Sequence, residues 1–267
     1  MLPHWSEAQV TVDNRKFHYI RTGAGDKPPL LLLHGFSDNG LCWLPVARDL
    51  EAHYDVIMPD ARGHGLSARI EPEEQIDHTA DAAGLITALE LDKPVVGGHS
   101  MGGATATELG ARYPDLVSRL ILEDPAWIDP SPDDVPLRNN PFFDWLTSLE
   151  GVPLEEIMAL GKENNPSWSE AEFPAWAASK QQLDKTIFDV ARARKPWREL
   201  VSALTVPTLL ITAEVAMNAI VTSAAAQEAA SLSPFLQIAY VPKAGHNIRR
   251  ENYPAFIQAV QDFLSQV

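Results

Sequence analysis

The chain has 267 residues, 45% of them hydrophobic, 21% charged and 8% aromatic, which is enough apolar material for one core with a modest excursion and carries no signature of disorder. Its 36 acidic residues against 21 Lys and Arg give a net charge of −15, whose field repels nucleic-acid phosphates and anionic membrane surfaces. A single cysteine, Cys42, excludes an internal disulfide and any zinc cluster built on cysteines.

The amino-terminal stretch, with His4, Trp5, Ser6 and Glu7, lacks the basic start and apolar run of a secretory signal, so a cytoplasmic location is expected. Two alternating segments, 9–12 and 16–22, flank Asp13-Asn14 and predict an exposed antiparallel edge hairpin. Six near-continuous apolar runs follow, at 29–34, 55–58, 94–97, 119–122, 208–212 and 237–241, and predict strands covered on both faces in the interior of a mostly parallel sheet. Segments of helical length and spacing at 41–51, 76–91, 101–113, 223–231 and 253–266 lie between and after them, giving an α/β chain with helices flanking the sheet. The most apolar stretch, 215–230, is interrupted by Asn218, Thr222, Ser223, Gln227 and Glu228, and reads as an Ala-rich soluble helix because a bilayer span needs roughly 18 uninterrupted apolar residues.

Residues 125–200 break the rhythm, holding 9 of the 21 prolines and 5 of the 7 tryptophans with no convincing buried strand. They predict an inserted helical cap, with the core domain formed by 1–124 and 201–267. Trp145, Trp168, Trp176 and Trp197 are expected to make the pocket beneath it apolar, while Arg192, Arg194, Lys195 and Arg198 read as a solvated face.

The most specific local signal is Gly98-His99-Ser100-Met101-Gly102-Gly103, between a predicted strand and a predicted helix. A sharp turn there exposes the Ser100 hydroxyl, and glycines two before and two after it let backbone pack where a Cβ would clash. A serine hydroxyl needs a base. Of eight histidines, His246 follows the last predicted strand and so reaches the carboxyl edge of the sheet, where Ser100 also lies. His34, His64 and His99 are near the same edge with competing roles in turns, and His4, His18, His53 and His78 are expected to face solvent. Backbone N–H groups of Phe36 and Met101 are placed to stabilise an oxyanion.

With His34-Gly35-Phe36, Asp60-Ala61-Arg62-Gly63-His64-Gly65-Leu66-Ser67, the serine turn and Gly245-His246 in this order, the chain resembles a capped, esterase-like α/β-hydrolase. The resemblance implies Ser100 as nucleophile, His246 as general base, Phe36 and Met101 as oxyanion donors, and a structural turn without catalysis at Asp60 to Ser67. Relatives usually carry the triad acid after strand seven, where this chain has Asn218. An amide cannot stabilise an imidazolium, and losing the carboxylate costs roughly 10⁴ in rate. Other relatives carry the acid after strand six, and Asp124, 24 residues beyond Ser100, matches that spacing. Asp124 is preferred to Glu214, with Glu123 third; an aspartate before proline also caps turns.

The expected activity is hydrolysis of a small-molecule ester or lactone through an acyl-enzyme. The same parts serve amide or carbon–carbon bond hydrolysis, or a hydrolase-derived binding protein with little turnover. Epoxide hydrolases and dehalogenases of this fold use aspartate at the turn, so Ser100 argues against both. No metal or organic cofactor and no nucleic-acid or membrane partner is implied, and the sequence does not set the oligomeric state.

Overall fold

A computed structural model describes residues 2, 4–71, 74–129, 138, 140–190 and 195–266. Arg192 and Arg194 of the expected basic face therefore lie outside the described residues, while Lys195 and Arg198 are exposed. Eight strands form one sheet: β1 (Ser6–Val12), β2 (Arg15–Arg21), β3 (Pro29–Leu33), β4 (Asp55–Pro59), β5 (Val95–His99), β6 (Arg119–Glu123), β7 (Thr208–Thr212) and β8 (Leu236–Tyr240). Their order is β1-β2-β4-β3-β5-β6-β7-β8. The first hairpin and the β2–β4 pair are antiparallel, and every pair from β4 to β8 is parallel.

The parallel strands read as unbroken apolar runs because each is covered twice. Alternate side chains point to opposite faces, so Leu30 and Leu32 of β3 join one core cluster with Trp43, Met58, Phe256 and Phe263. Leu31 and Leu33 join another with Ile57, Val96, Leu120 and Leu122. The helices that cover these faces are α1 (Leu44–Leu50), α2 (His78–Ala88) and α3 (Met101–Arg112), followed later in the chain by the helices at Ser223–Leu232 and Tyr253–Leu264. Between β6 and β7 run α4 (Pro141–Ser148), α5 (Leu154–Asn164), α6 (Phe173–Gln182) and α7 (Trp197–Ser202). The chain closes with α8 (Ser223–Leu232), α9 (Ile248–Glu251) and α10 (Tyr253–Leu264). No helix among the described residues is long and apolar enough to cross a membrane.

Four expectations change. β8 is the edge of the sheet, not interior, and leaves Ile238 39% and Tyr240 59% exposed. Stretch 215–230 is a 3₁₀ turn at Val215–Met217 followed by α8 from Ser223, because Asn218 takes φ 72° and the Thr222 side chain accepts from Ala225 N. Trp168 and Trp176 are buried in a cluster of the excursion's own helices. Trp197 instead stacks on Trp127, centroids 5.0 Å apart, in the sheet-side core. Those rings are spent on packing.

His18 is the fourth correction: it is buried, not solvent-facing. Its Nδ1 lies 2.8 Å from Asp60 Oδ2 and its Nε2 3.0 Å from Glu7 Oε1. Asp60 also accepts from Gly40 N at 2.7 Å and Leu66 N at 2.8 Å, which ties the turn after β4 to the β2 strand. Burial is the largest single influence and opposes the charged form of both groups, but it is outweighed by the sum of their mutual hydrogen bond, the Gly40 and Leu66 N–H groups on Asp60 and the Glu7 carboxylate on His18, so the Asp60 carboxyl lies below its ordinary range and the His18 imidazole above. Asp60's contribution is therefore lost as the pH falls through its lowered value, and His18's as the pH rises through its raised value. In urea unfolding, Asp60→Asn is expected to cost about 2–3 kcal/mol. The gap should be widest between about pH 4 and pH 6.5, narrowing on either side.

Candidate active site

The nucleophile candidate is held by backbone. Ser100 follows β5 with φ 51° and ψ −111°, a region that non-glycine residues rarely occupy. Its N–H donates to Glu123 O at 3.0 Å, and its carbonyl accepts from Ala104 N and Ala126 N, each at 2.9 Å. The flanking glycines answer to contacts: a Cβ on Gly98 would lie 2.2 Å from Gly102 O, and one on Gly102 2.1 Å from Leu33 O. Ser100 immediately precedes α3, whose amino end carries partial positive charge and N–H groups, Met101's first, without intrahelical partners.

The parallel pairing of β5 with β6 matches His99 with Glu123, so the residues just beyond, Ser100 and Asp124, leave adjacent strand ends. Asp124 is fully buried and also takes a positive φ, 37°. Its carboxylate accepts from Ile220 N at 2.8 Å and Val221 N at 2.9 Å, and its Oδ2 lies 2.6 Å from His246 Nδ1. A carboxylate can only accept, so the Nδ1 carries the proton and a neutral ring presents Nε2 as a base. Asp124 Oδ2 thus serves both Ile220 N and the imidazole while Oδ1 serves Val221 N, so the backbone this carboxylate holds belongs to the loop after β7 and not to the turn at Pro125 that an aspartate before proline is expected to cap.

The alternative acids are engaged elsewhere. Glu214 accepts from Lys243 N at 2.7 Å. Glu123 accepts from Arg249 N at 2.8 Å and from its guanidinium at 3.0 Å. Asn218 closes the turn after β7, its N–H donating to Val215 O at 3.0 Å. That loop supplies the two N–H groups that hold Asp124.

His99 Nε2 donates to the His246 carbonyl at 2.9 Å, with the two rings 4.7 Å apart. Burial, reinforced by the Arg249 and His246 charges, holds the His99 imidazole well below its usual range, so it stays neutral and anchors the His246 loop. Gly35 is required beside it, since a Cβ there would meet His99 Nδ1 at 2.6 Å and Ser100 Cβ at 3.5 Å. Phe36 follows directly, its ring among Phe142 and Phe188 of the excursion at 6.1 and 5.4 Å.

A group that sequence reasoning missed surrounds these elements. Asp38, Glu123, Glu172, Lys180, Arg249 and Arg250 are each under 5% exposed. Asp38 meets Arg250 at 3.0 Å, Lys180 at 3.3 Å and Arg249 at 3.4 Å. Arg250 also bonds Glu172 at 3.0 Å. Burial resists ionisation of Asp38, yet the three cations outweigh it and hold the carboxyl well below its ordinary range. Among the described residues no group of three or more His, Cys, Asp and Glu could hold a metal.

The family model described as alpha/beta hydrolase fold matches residues 28–248. Over nearly its whole length the chain is similar to the 2-(acetamidomethylene)succinate hydrolase of Mesorhizobium japonicum, 26% identical across 98% of this chain and 96% of that one. It is likewise similar to the N-formylmaleamate deformylase of Pseudomonas putida, 27% identical across 96% and 95%. A solved thermophilic esterase from Thermogutta terrifontis superposes with a TM-score of 0.77 at 26% identity, covering 97% of this chain and 98% of that one. A shorter match at 36% identity reaches uncharacterised proteins of Mycobacterium tuberculosis and Mycobacterium bovis; it takes in 43% of this chain and 35% of theirs, so the matched stretch spans about a third of their length.

Removing one partner of a buried ion pair strands the other. Arg249→Met should therefore destabilise the protein by about 3–5 kcal/mol in urea unfolding. Adding Glu123→Gln, which removes the stranded charge, should recover part of that loss.

Proposed function

Since the chain belongs to the alpha/beta hydrolase fold family over residues 28–248, we propose that it is a serine hydrolase that cleaves carboxylic esters or lactones through an acyl-enzyme. The observation that carries this reading is the 2.6 Å contact of His246 Nδ1 with the buried Asp124 carboxylate, on the strand end next to Ser100.

In this reading Ser100 Oγ attacks the substrate carbonyl carbon while His246 Nε2 takes the hydroxyl proton. The carbonyl oxygen becomes an oxyanion that accepts from the Phe36 and Met101 N–H groups. The imidazolium, stabilised by Asp124, then returns the proton to the departing alkoxide as the carbon–oxygen bond breaks. Water, deprotonated by the same imidazole, adds to the acyl carbon, and Ser100 leaves with the proton restored. The helical excursion acts as a cap in this reading, with the partly exposed rings of Phe36 and Phe142 offering an apolar wall that the buried Phe188 backs. Lengthening the acyl chain should then raise kcat/KM by roughly 0.8 kcal/mol of binding per methylene until the wall is filled.

A second reading, cleavage of an N-acyl bond by the same residues, draws support from the names of the two relatives that match over nearly the full length. A panel of chromogenic esters, lactones and anilides, with neutral and dicarboxylate acyl groups, separates the two. Ester turnover well above anilide turnover is expected, and the reverse order would transfer the assignment to amide hydrolysis. Asp124→Asn should lower kcat by about three to four orders of magnitude, while Glu214→Gln and Asn218→Ala each cost under about tenfold. A crippled Glu214→Gln with a mild Asp124→Asn would return the acid to the loop after β7.

A further inference from the structure

The segment that carries the Phe36 N–H is a tight turn in an unfavourable conformation. Asp38 N donates to Gly35 O at 3.1 Å, closing a four-residue turn with Ser37 at its third position. Ser37 takes φ 64°, the left-handed region that this position of a type II turn demands and that glycine, not serine, adopts freely. A serine released from constraint moves to negative φ, which turns over the peptide between Phe36 and Ser37, immediately beyond the proposed oxyanion donor.

One side chain from another part of the chain holds this residue. Lys180, on α6, is buried and places its Nζ 2.9 Å from Ser37 O and 3.0 Å from Ser37 Oγ. The same ammonium lies 3.3 Å from Asp38, which Arg249 and Arg250 fix from the helix just after His246. Asp38 therefore remains paired with two guanidinium groups when Lys180 is removed, whereas Ser37 loses both of its lysine contacts.

We propose that Lys180 is a positioning residue for the oxyanion turn: by bonding both oxygens of Ser37 it keeps that residue left-handed, and so keeps the Phe36 N–H where the oxyanion forms. The excursion that bears α6 thereby takes part in the chemical step without touching the substrate. This inference rests on the hydrolase reading above, in which Phe36 N is an oxyanion donor.

The effect falls on the transition state, so it separates kcat from KM. With a short-acyl nitrophenyl ester, Lys180→Met is expected to lower kcat by about tenfold to a hundredfold, as misplacement of an oxyanion donor does, with KM changed by less than about threefold. Affinity for an alkyl boronic acid, whose tetrahedral adduct occupies the same hole, should fall in parallel. The decisive comparison uses Ser37→Gly as background, because glycine holds a positive φ without help. There Lys180→Met should cost less than about threefold in kcat. An equal loss in both backgrounds, or a rise in KM at constant kcat, overturns the inference. Should Lys180→Met unfold, judged by its near-ultraviolet circular dichroism, the same comparison with Lys180→Gln decides. A wild type inactive towards every ester and anilide overturns the hydrolase reading along with this one; an active wild type with a background-independent loss overturns this one only.

Discussion

Ser100 sits at φ 51° and ψ −111°, and the surrounding structure is arranged so that it can sit nowhere else. Its amide is bonded to Glu123 O on β6 and its carbonyl to the first turn of α3 and to Ala126, so strand, neighbouring strand and helix all terminate on one residue. Such a conformation costs of order 1–3 kcal/mol and persists only where its surroundings over-determine it. Here the strained turn brings two other requirements with it. Gly98 and Gly102 must lack side chains for β5 and α3 to meet. And β6, whose last carbonyl accepts from Ser100 N, turns sharply at Asp124, φ 37°, which delivers a carboxylate on the neighbouring strand end.

The charges around this elbow follow from the same crowding. Three acids and three bases, all buried, join the turn after β3, the end of β6, α6 and the helix after His246. A network of this kind contributes little net stability over an apolar core, because desolvation offsets much of the attraction, but each member fixes its neighbours' geometry and is costly to remove singly. Its members flank proposed catalytic groups: Asp38 is two residues after Phe36, Glu123 precedes Asp124, and Arg249 and Arg250 follow His246 by three and four. Precision at the site is thus bought with groups that do not meet the substrate in this reading.

Much of this was legible in the sequence, and for physical reasons. The parallel strands announce themselves because burial on both faces forces unbroken apolar runs, and the elbow because only glycines fit around it. The pairing of Asp124 with His246 could be anticipated because Asn218 carries no charge where the resembled family usually has an acid, and Asp124 stands where other relatives carry it. The buried charges could not. Lys180 and Asp38 are 142 residues apart, and neither lies in a run or repeat that distinguishes a core lysine from a solvated one. His18 misled because its strand alternates, and alternation does not reveal that Asp60, in the turn after β4, bonds the imidazole and shares its burial. β8 misled in the opposite sense, since an apolar run at the end of a sheet looks the same as one in its middle.

In the proposed reading the strained backbone at the end of β5 presents Ser100 as an activated nucleophile. The most direct measurement is intact-mass and peptide mass spectrometry after treatment with an alkyl fluorophosphonate, on the wild type and on His246→Ala. One adduct per chain on Ser100 in the wild type, formed at least a hundredfold more slowly when His246 is absent, is the predicted result. Labelling at another residue, or labelling of Ser100 at the same rate without His246, would contradict it.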